Sequence, residues 1–399
     1  MKTHIIIGTS AASLGVLNKL RTLDPAGTII CISDEPELPY NKCFLADYLS
    51  GSKQEIEVNT RSPSFFEQHR INLMLGKKVL SINHHQKNII LNDGQILSYD
   101  TLFLGTGSSP IIPSLFNRKL PGLFTFHTLA DSNAILTYVN QHHVQHAIVI
   151  GTGLSGLECA DSLATRHIKV TVISRHGQLL RRFIDQKASS FIESKMQAQG
   201  ITLLKYHEPV ELVVHEDKIK GLRMEDGHEL KADMIIIATG LRPNNELAQS
   251  AELKLRDGYI VVDDAMQTSN ASIWAGGDCC LVKDQLSGQP VPSTTWSDAM
   301  LQGSIAAHGM AGLPKKYPGI AAVISSSFFC TQFVTAGNVL NPLPHHTTAV
   351  QSGSDFYQAL VTEGDRLCGF LLVGQTNHAP RLKRALLTGQ SLSELNSAS

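Results

Sequence analysis

Two short stretches of this chain carry the residue types that hold a dinucleotide. Gly8-Thr-Ser10-Ala-Ala-Ser13 follows the apolar run Ile5 to Ile7, and Gly151-Thr-Gly153-Leu-Ser-Gly156 follows Ile148 to Ile150. In a G-x-G-x-x-G turn the first glycine makes the bend, the second lets the backbone approach a pyrophosphate, and the third lets helix and strand pack closely. The first amide groups of the helix then face the phosphates. The second stretch is complete. The first has serine at its second and third places: Ser10 still permits a close approach, whereas Ser13 is expected to hold helix and strand slightly apart. The copies also close alike, in NDGQILSYDTLFLGTGSSP and EDGHELKADMIIIATGLRP, where Asp93/Asp226, Asp100/Asp233, Gly107/Gly240 and Pro110/Pro243 all differ by 133 positions. Such a constant offset marks an internal duplication. Two units of this kind imply two dinucleotides and electron transfer between them.

The elements that must position these turns follow from hydropathy. In the first copy, strands at Ile5–Gly8 and Thr28–Ser33 flank a helix running to about Leu23, a βαβ unit. Asp34 ends the second strand, 26 residues after Gly8, in register to accept a ribose hydroxyl, and Glu35 is the neighbouring candidate. In the second copy the strand KVTVIS ends at Ser174 with no acid for a ribose 2′-hydroxyl. Arg175, His176, Arg181 and Arg182 follow instead, donors suited to a 2′-phosphate, so NADPH is expected in preference to NADH. Asn92-Asp93-Gly94 and Glu225-Asp226-Gly227 read as hairpin turns. The chain leaves the first domain around Pro110 to Pro121 and re-enters it at ATGLRPN. From about Leu313 the pattern changes to β-like runs and a final helix from Ala379. The expected fold class is α/β: two interleaved Rossmann-like dinucleotide-binding domains plus a small α+β C-terminal domain.

With 399 residues, 42% apolar and 17% charged, the chain is expected to form two or three soluble domains with full cores. A net charge of −1 without long single-sign runs argues against nucleic acid and against a membrane anchor. No targeting segment or membrane-length apolar run is seen, so a cytoplasmic location is expected. Seven cysteines, an odd number with no CxxC, argue against a disulfide framework, and the adjacent Cys279 and Cys280 read as buried thiols. The pairs His84-His85, His142-His143 and His345-His346 join no carboxylate or cysteine at ligand spacing, so no metal is expected. Hydrolase motifs of the G-x-S-x-G and HExxH type are absent.

GTSAAS, ISDEPELPYNK, the two TG segments, TSNASIWAGGD and the AMLQG helix together resemble the FAD- and NAD(P)-dependent pyridine-nucleotide disulfide oxidoreductase superfamily, over essentially the whole chain. The PYNK segment and the short C-terminal region look most like the rubredoxin, flavorubredoxin and ferredoxin reductases. The resemblance implies a discontinuous FAD-binding domain at 1–111 and 240–312, an NAD(P)H-binding domain at 112–239 and a C-terminal domain at 313–399. It implies that Gly8, Ser10 and Asp34 hold the FAD diphosphate and adenosine ribose, that Lys42 lies beside the flavin, and that Asp278 binds the ribityl chain. Ser13, Glu35, Thr106, Gly107, Gly240 and Gly277 are counted with the cofactor-binding residues. Arg175, His176 and Arg181 are similar in spacing to the NADPH grip of glutathione reductases. Glu158 resembles a glutamate near the nicotinamide, a candidate partner of Lys42.

Cys43 follows Lys42 at an expected helix N-terminus, where the macrodipole and a neighbouring cation lower a thiol pKa. The run from Cys43 to Gly51 resembles the single-cysteine segment of coenzyme A-disulfide reductases and NADH oxidases. Three functions are therefore in view. The expected one is an NADPH-dependent FAD oxidoreductase delivering electrons to a small redox protein of the rubredoxin or ferredoxin type. The alternatives are reduction of a small disulfide, peroxide or oxygen through Cys43, and a flavin-based redox sensor. The short tail, less than a disulfide-reductase dimer domain, and the lack of a second redox cysteine nearby favour the first. Oligomeric state is not legible in the sequence.

Overall fold

The computed structural model describes residues 1–293, 295–391 and 393–394. The chain forms two compact units, each assembled from separated stretches: Met1–Cys43, Glu55–Ser109 and Leu241–Ile320 in the first, Phe44–Gln54, Pro110–Gly240 and Ala321–Ser399 in the second. Among the described residues no helix is long and apolar enough to cross a membrane.

The first unit is built on a parallel sheet in the order Ile273–Ala275, Thr101–Leu104, Thr3–Ile7, Thr28–Ile32, Ile71–Met74. Ile5 sits at its centre, in register with Ile30 on one side and Leu102 on the other. Near-continuous apolar runs such as Ile5-Ile6-Ile7 and TLFL suit strands buried on both faces. The nucleotide-turn helix Ala11–Leu23 packs on Trp296–Ala311 almost backbone to backbone. A Cβ on Gly15 would lie 2.1 Å from the Met300 carbonyl oxygen, and one on Gly303 1.8 Å from that of Ala12. The AMLQG segment thereby presses the returning stretch of chain onto the first helix.

The second unit repeats the sheet, in the order Leu123–Thr125, Met234–Ile237, His146–Ile150, Lys169–Ser174, Thr202–Lys205. Four strands correspond one to one between the copies. The fifth, beside the closing strand, comes from earlier in the chain here and from later in the first unit, which is why the first unit needs residues beyond 240. Each copy also carries an antiparallel three-stranded meander, Val79–Asn83 to Ile96–Ser98 and Pro209–His215 to Glu229–Lys231. The expected hairpins at Asp93-Gly94 and Asp226-Gly227 form its last turns. The second unit further holds an antiparallel sheet in the order Val323–Phe328, Thr331–Gly337, Arg366–Val373, Tyr357–Glu363, Thr347–Ser352. Helix Ala379–Thr388 covers it through Leu382 and Leu386, against Phe370 and Leu372. The fold is α/β, two Rossmann-like units with a small α+β C-terminal region.

Candidate functional site

In the first turn Gly8 has φ +98°, and a Cβ there would meet the Gly105 carbonyl oxygen at 2.3 Å. Ser10 caps the helix without a side-chain hydrogen bond, and no acid occupies the first turn. A helix start of this kind presents N–H donors and a positive dipole end. Ser13 is buried, its hydroxyl 3.4 Å from the Ile7 carbonyl oxygen. Against expectation it need not hold helix and strand apart, because Gly105 on the facing strand end has no side chain: a Cβ there would lie 2.4 Å from Ser13 Oγ. The second copy reverses the two sizes, with Gly156 on the helix and Ala238 on the strand end. Bulk is exchanged across one contact.

Strand Thr28–Ile32 stops two residues before Asp34, which is exposed. Glu35 accepts the Tyr40 hydroxyl at 2.6 Å and lies 3.8 Å from Lys42 Nζ. Asp278 accepts the Ser108 hydroxyl at 3.0 Å. Burial pushes its carboxyl up, opposed by that hydrogen bond and by the charge of Lys42. Gly277 donates its N–H to Gln302 Oε1 at 2.8 Å. Thr106 and Asn244 exchange two hydrogen bonds of 2.8 Å, side chain to carbonyl in each direction, and the Gly107 carbonyl accepts the Asn244 N–H at 3.0 Å. Sequence reasoning missed Asn244 and Gln302. Asn244 ties the closing TG segment to the returning chain, and Gln302, wholly buried in an apolar helix, was a detectable oddity.

In the second turn Gly151 has φ +119°, and its Cβ would lie 2.1 Å from the Ala238 carbonyl oxygen. Open space surrounds the Cβ position of Gly153, which caps helix Leu154–Thr165 without a side-chain bond or a first-turn acid. Gly240 accepts the Ile111 N–H at 2.9 Å. At the end of Lys169–Ser174, Arg175, Arg181 and Arg182 are exposed and His176 is half-buried. The Ser174 hydroxyl donates to the His176 carbonyl, bracing the turn. Arg175 Nη1 lies 3.7 Å from Glu208 Oε1, an acid that sequence spacing did not bring to this place. Exposed Tyr206 lies over Gly177, where a Cβ would be 1.9 Å from its hydroxyl oxygen.

Cys43 is exposed within a 3₁₀ turn, Lys42–Phe44, ahead of the six-residue helix Leu45–Ser50. It therefore precedes the helix rather than opening it, since the Asn41 side chain takes its N–H at 3.0 Å and tightens the turn. The macrodipole argument for its thiol weakens accordingly. Glu158 is half-buried on helix Leu154–Thr165 and accepts the Ser326 hydroxyl at 2.6 Å. Burial and Asp47 push its carboxyl up, while that hydrogen bond opposes them. Two histidine pairs do meet a carboxylate through the fold, His84 and His85 with Glu252, and His345 and His346 with Glu363, their ligand atoms within 4.8 Å.

Two parallel-sheet units, each opening on a glycine turn and an uncapped helix, define a class of protein built around a pair of nucleotides. Residues 2–303 match the pyridine nucleotide-disulphide oxidoreductase family, and the chain belongs to it. It is an NAD(P)H-dependent flavin oxidoreductase, of a family that binds FAD and NAD(P)H. It is 32% identical over 328 residues to an NADH oxidase of Methanocaldococcus jannaschii, covering 80% of this chain and 73% of that protein. It is 30% identical to the assimilatory nitrate reductase electron transfer subunit of Bacillus subtilis over 92% of this chain, yet spans only 46% of that subunit's length. Its fold matches a covalent putidaredoxin reductase–putidaredoxin complex with a TM-score of 0.87 and 26% identity, covering 99% of this chain and 95% of that one.

Proposed function

We propose that this enzyme takes electrons from NADPH, holds FAD, and delivers electrons one at a time to a small redox protein of the rubredoxin or ferredoxin type. The observation that carries the coenzyme choice is the strand end at Ser174, followed by exposed Arg175 and Arg181 where an NAD enzyme places an acid. The domains in this reading are 1–111 with 240–312 for FAD, 112–239 for NADPH and 313–399 as the C-terminal domain. The chain's residues fit both groups. Gly8 and Gly151 make bends that any Cβ would block, and both helix starts present uncapped amides to a diphosphate. Asp34 would take the adenosine ribose of FAD, and Asp278, steadied by Ser108, the ribityl hydroxyls, with Lys42 supplying positive charge nearby. Bound FAD would supply the step from a two-electron donor to a one-electron acceptor.

The acceptor class draws on the likeness to the putidaredoxin reductase complex and to an electron transfer subunit. A second reading, reduction of a small disulfide, peroxide or oxygen, is favoured by the exposure of Cys43 and by the NADH oxidase relative. Stopped-flow mixing of the NADPH-reduced enzyme with rubredoxin, ferredoxin, coenzyme A disulfide and oxygen tests both. Faster reoxidation by the iron proteins supports the proposal. Faster reoxidation by the disulfide or oxygen transfers it to the second reading, and recovery of FMN from the heat-released flavin would sink both.

A further inference from the structure

Helix Leu154–Thr165 turns two carboxyls, Glu158 and Asp161, toward the C-terminal sheet. Ser326 sits in strand Val323–Phe328 between Ser325 and Ser327, which are exposed while Ser326 is half-buried. An inward position on a strand ordinarily takes an apolar side chain, because a hydroxyl withdrawn from water needs a partner. Here the partner is Glu158 Oε1 at 2.6 Å. We infer that Ser326 is a positioning residue for Glu158, so that the C-terminal sheet sets the orientation and proton affinity of a carboxyl in the coenzyme-binding half of the enzyme. The inference rests on the reading of Glu158 as a coenzyme-site residue.

The charge that acts on Glu158 is Asp47, while Arg166, at the end of the same helix, is held on the Leu49 carbonyl. Helix Leu45–Ser50, held to the same helix by the Ser162 hydroxyl on the Ala46 carbonyl at 2.9 Å, brings Asp47. One turn further along, Asp161 accepts the Phe329 N–H. Strand Val323–Phe328 itself contains no ionisable side chain. Burial and Asp47 therefore favour the protonated form of Glu158, and the Ser326 hydroxyl favours the ionised form. Removing the hydroxyl leaves the first two unopposed. A folded-state midpoint already above the unfolded one then moves further up, so ionisation of Glu158 needs a higher pH.

The test is the titration of the Glu158 carboxyl in the FAD-loaded enzyme, by carbon-13 NMR of glutamate-labelled protein with Glu158→Gln identifying the resonance, alongside stopped-flow flavin reduction by NADPH. Ser326→Ala should raise the midpoint by about 1 to 2 pH units, the size of one lost hydrogen bond to a charged group. Ser326→Thr, which keeps the hydroxyl, should restore it, and Asp47→Asn should lower it. The pH at which flavin reduction changes should follow the same order. An unmoved midpoint in Ser326→Ala, or no restoration by Ser326→Thr, overturns the inference. If the midpoints move as expected but Glu158→Gln reduces flavin at the wild-type rate at every pH, the positioning contact stands and the coenzyme role of Glu158 falls.

Discussion

The exchange of bulk between Ser13 and Gly105 gives the sharpest quantitative test of how the first nucleotide turn is built. Gly105→Ala would set a Cβ 2.4 Å from Ser13 Oγ, 3.1 Å from the Ile7 carbonyl oxygen and 3.2 Å from Phe103 Cε1. The first separation is one that real Cβ atoms essentially never show, whereas the other two require shifts of only a few tenths of an ångström. The backbone of Gly105 is not left-handed, so the penalty is overpacking, about 1–3 kcal/mol. If that cost falls on the geometry that receives the diphosphate, FAD affinity drops roughly 5- to 150-fold. Ser13→Gly removes the offending oxygen, and the double variant, which copies the Gly156/Ala238 pairing of the second unit, should recover most of the loss. The assay is FAD titration of apoprotein by fluorescence quenching across a double-mutant cycle, with thermal unfolding of each apoprotein in parallel. Additive effects, or a Gly105→Ala variant that binds FAD normally, would refute the reasoning. The mirror experiment should fail: at Gly156 a Cβ meets the Gly151 carbonyl oxygen at 2.4 Å, so trimming Ala238 to Gly cannot rescue Gly156→Ser.

Arg175→Ala should lower kcat/KM for NADPH about 10- to 150-fold and leave NADH little changed, since one charge-assisted hydrogen bond to the 2′-phosphate is lost; equal use of both coenzymes by the wild type would place this arginine in solvent only. Cys43→Ser should keep most NADPH-driven reduction of rubredoxin or ferredoxin, whereas loss of disulfide turnover, together with a long-wavelength thiolate-to-flavin band in the wild type, would promote the thiol reading. Gly303→Ala drives a Cβ to 1.8 Å from the Ala12 carbonyl oxygen, a backbone atom with no rotamer to escape into, and should destabilise the first unit by about 3 kcal/mol. A melting temperature within a degree of wild type would show that the two helices separate freely.

The features legible in the sequence are those whose physical requirement is local. A bend that only glycine can make, an apolar strand before it and a helix after it leave a mark within a dozen residues, and the mark appears twice. The Asp-Gly hairpins and the missing acid after Ser174 belong to the same kind. The fine placement of Cys43 did not, because whether a chain opens a helix or makes one 3₁₀ turn first depends on where Asn41 finds its hydrogen bond. Nor did the partners of the charged residues: Glu35 with Tyr40 and Lys42, Arg175 with Glu208, and Glu158 with Ser326, 168 positions away.

By itself the sequence determined the duplicated α/β plan, the two glycine turns and the family they resemble, because backbone sterics and strand hydropathy act between neighbours along the chain. Only the tertiary structure decided that Gly105 makes room for Ser13, that Gln302 holds Gly277, that Glu252 reaches His84 and His85, and that a serine from the C-terminal sheet grips Glu158. Those contacts join residues far apart in the chain, and a side chain's spacing in sequence carries no information about which distant backbone or carboxyl the sheets will bring against it.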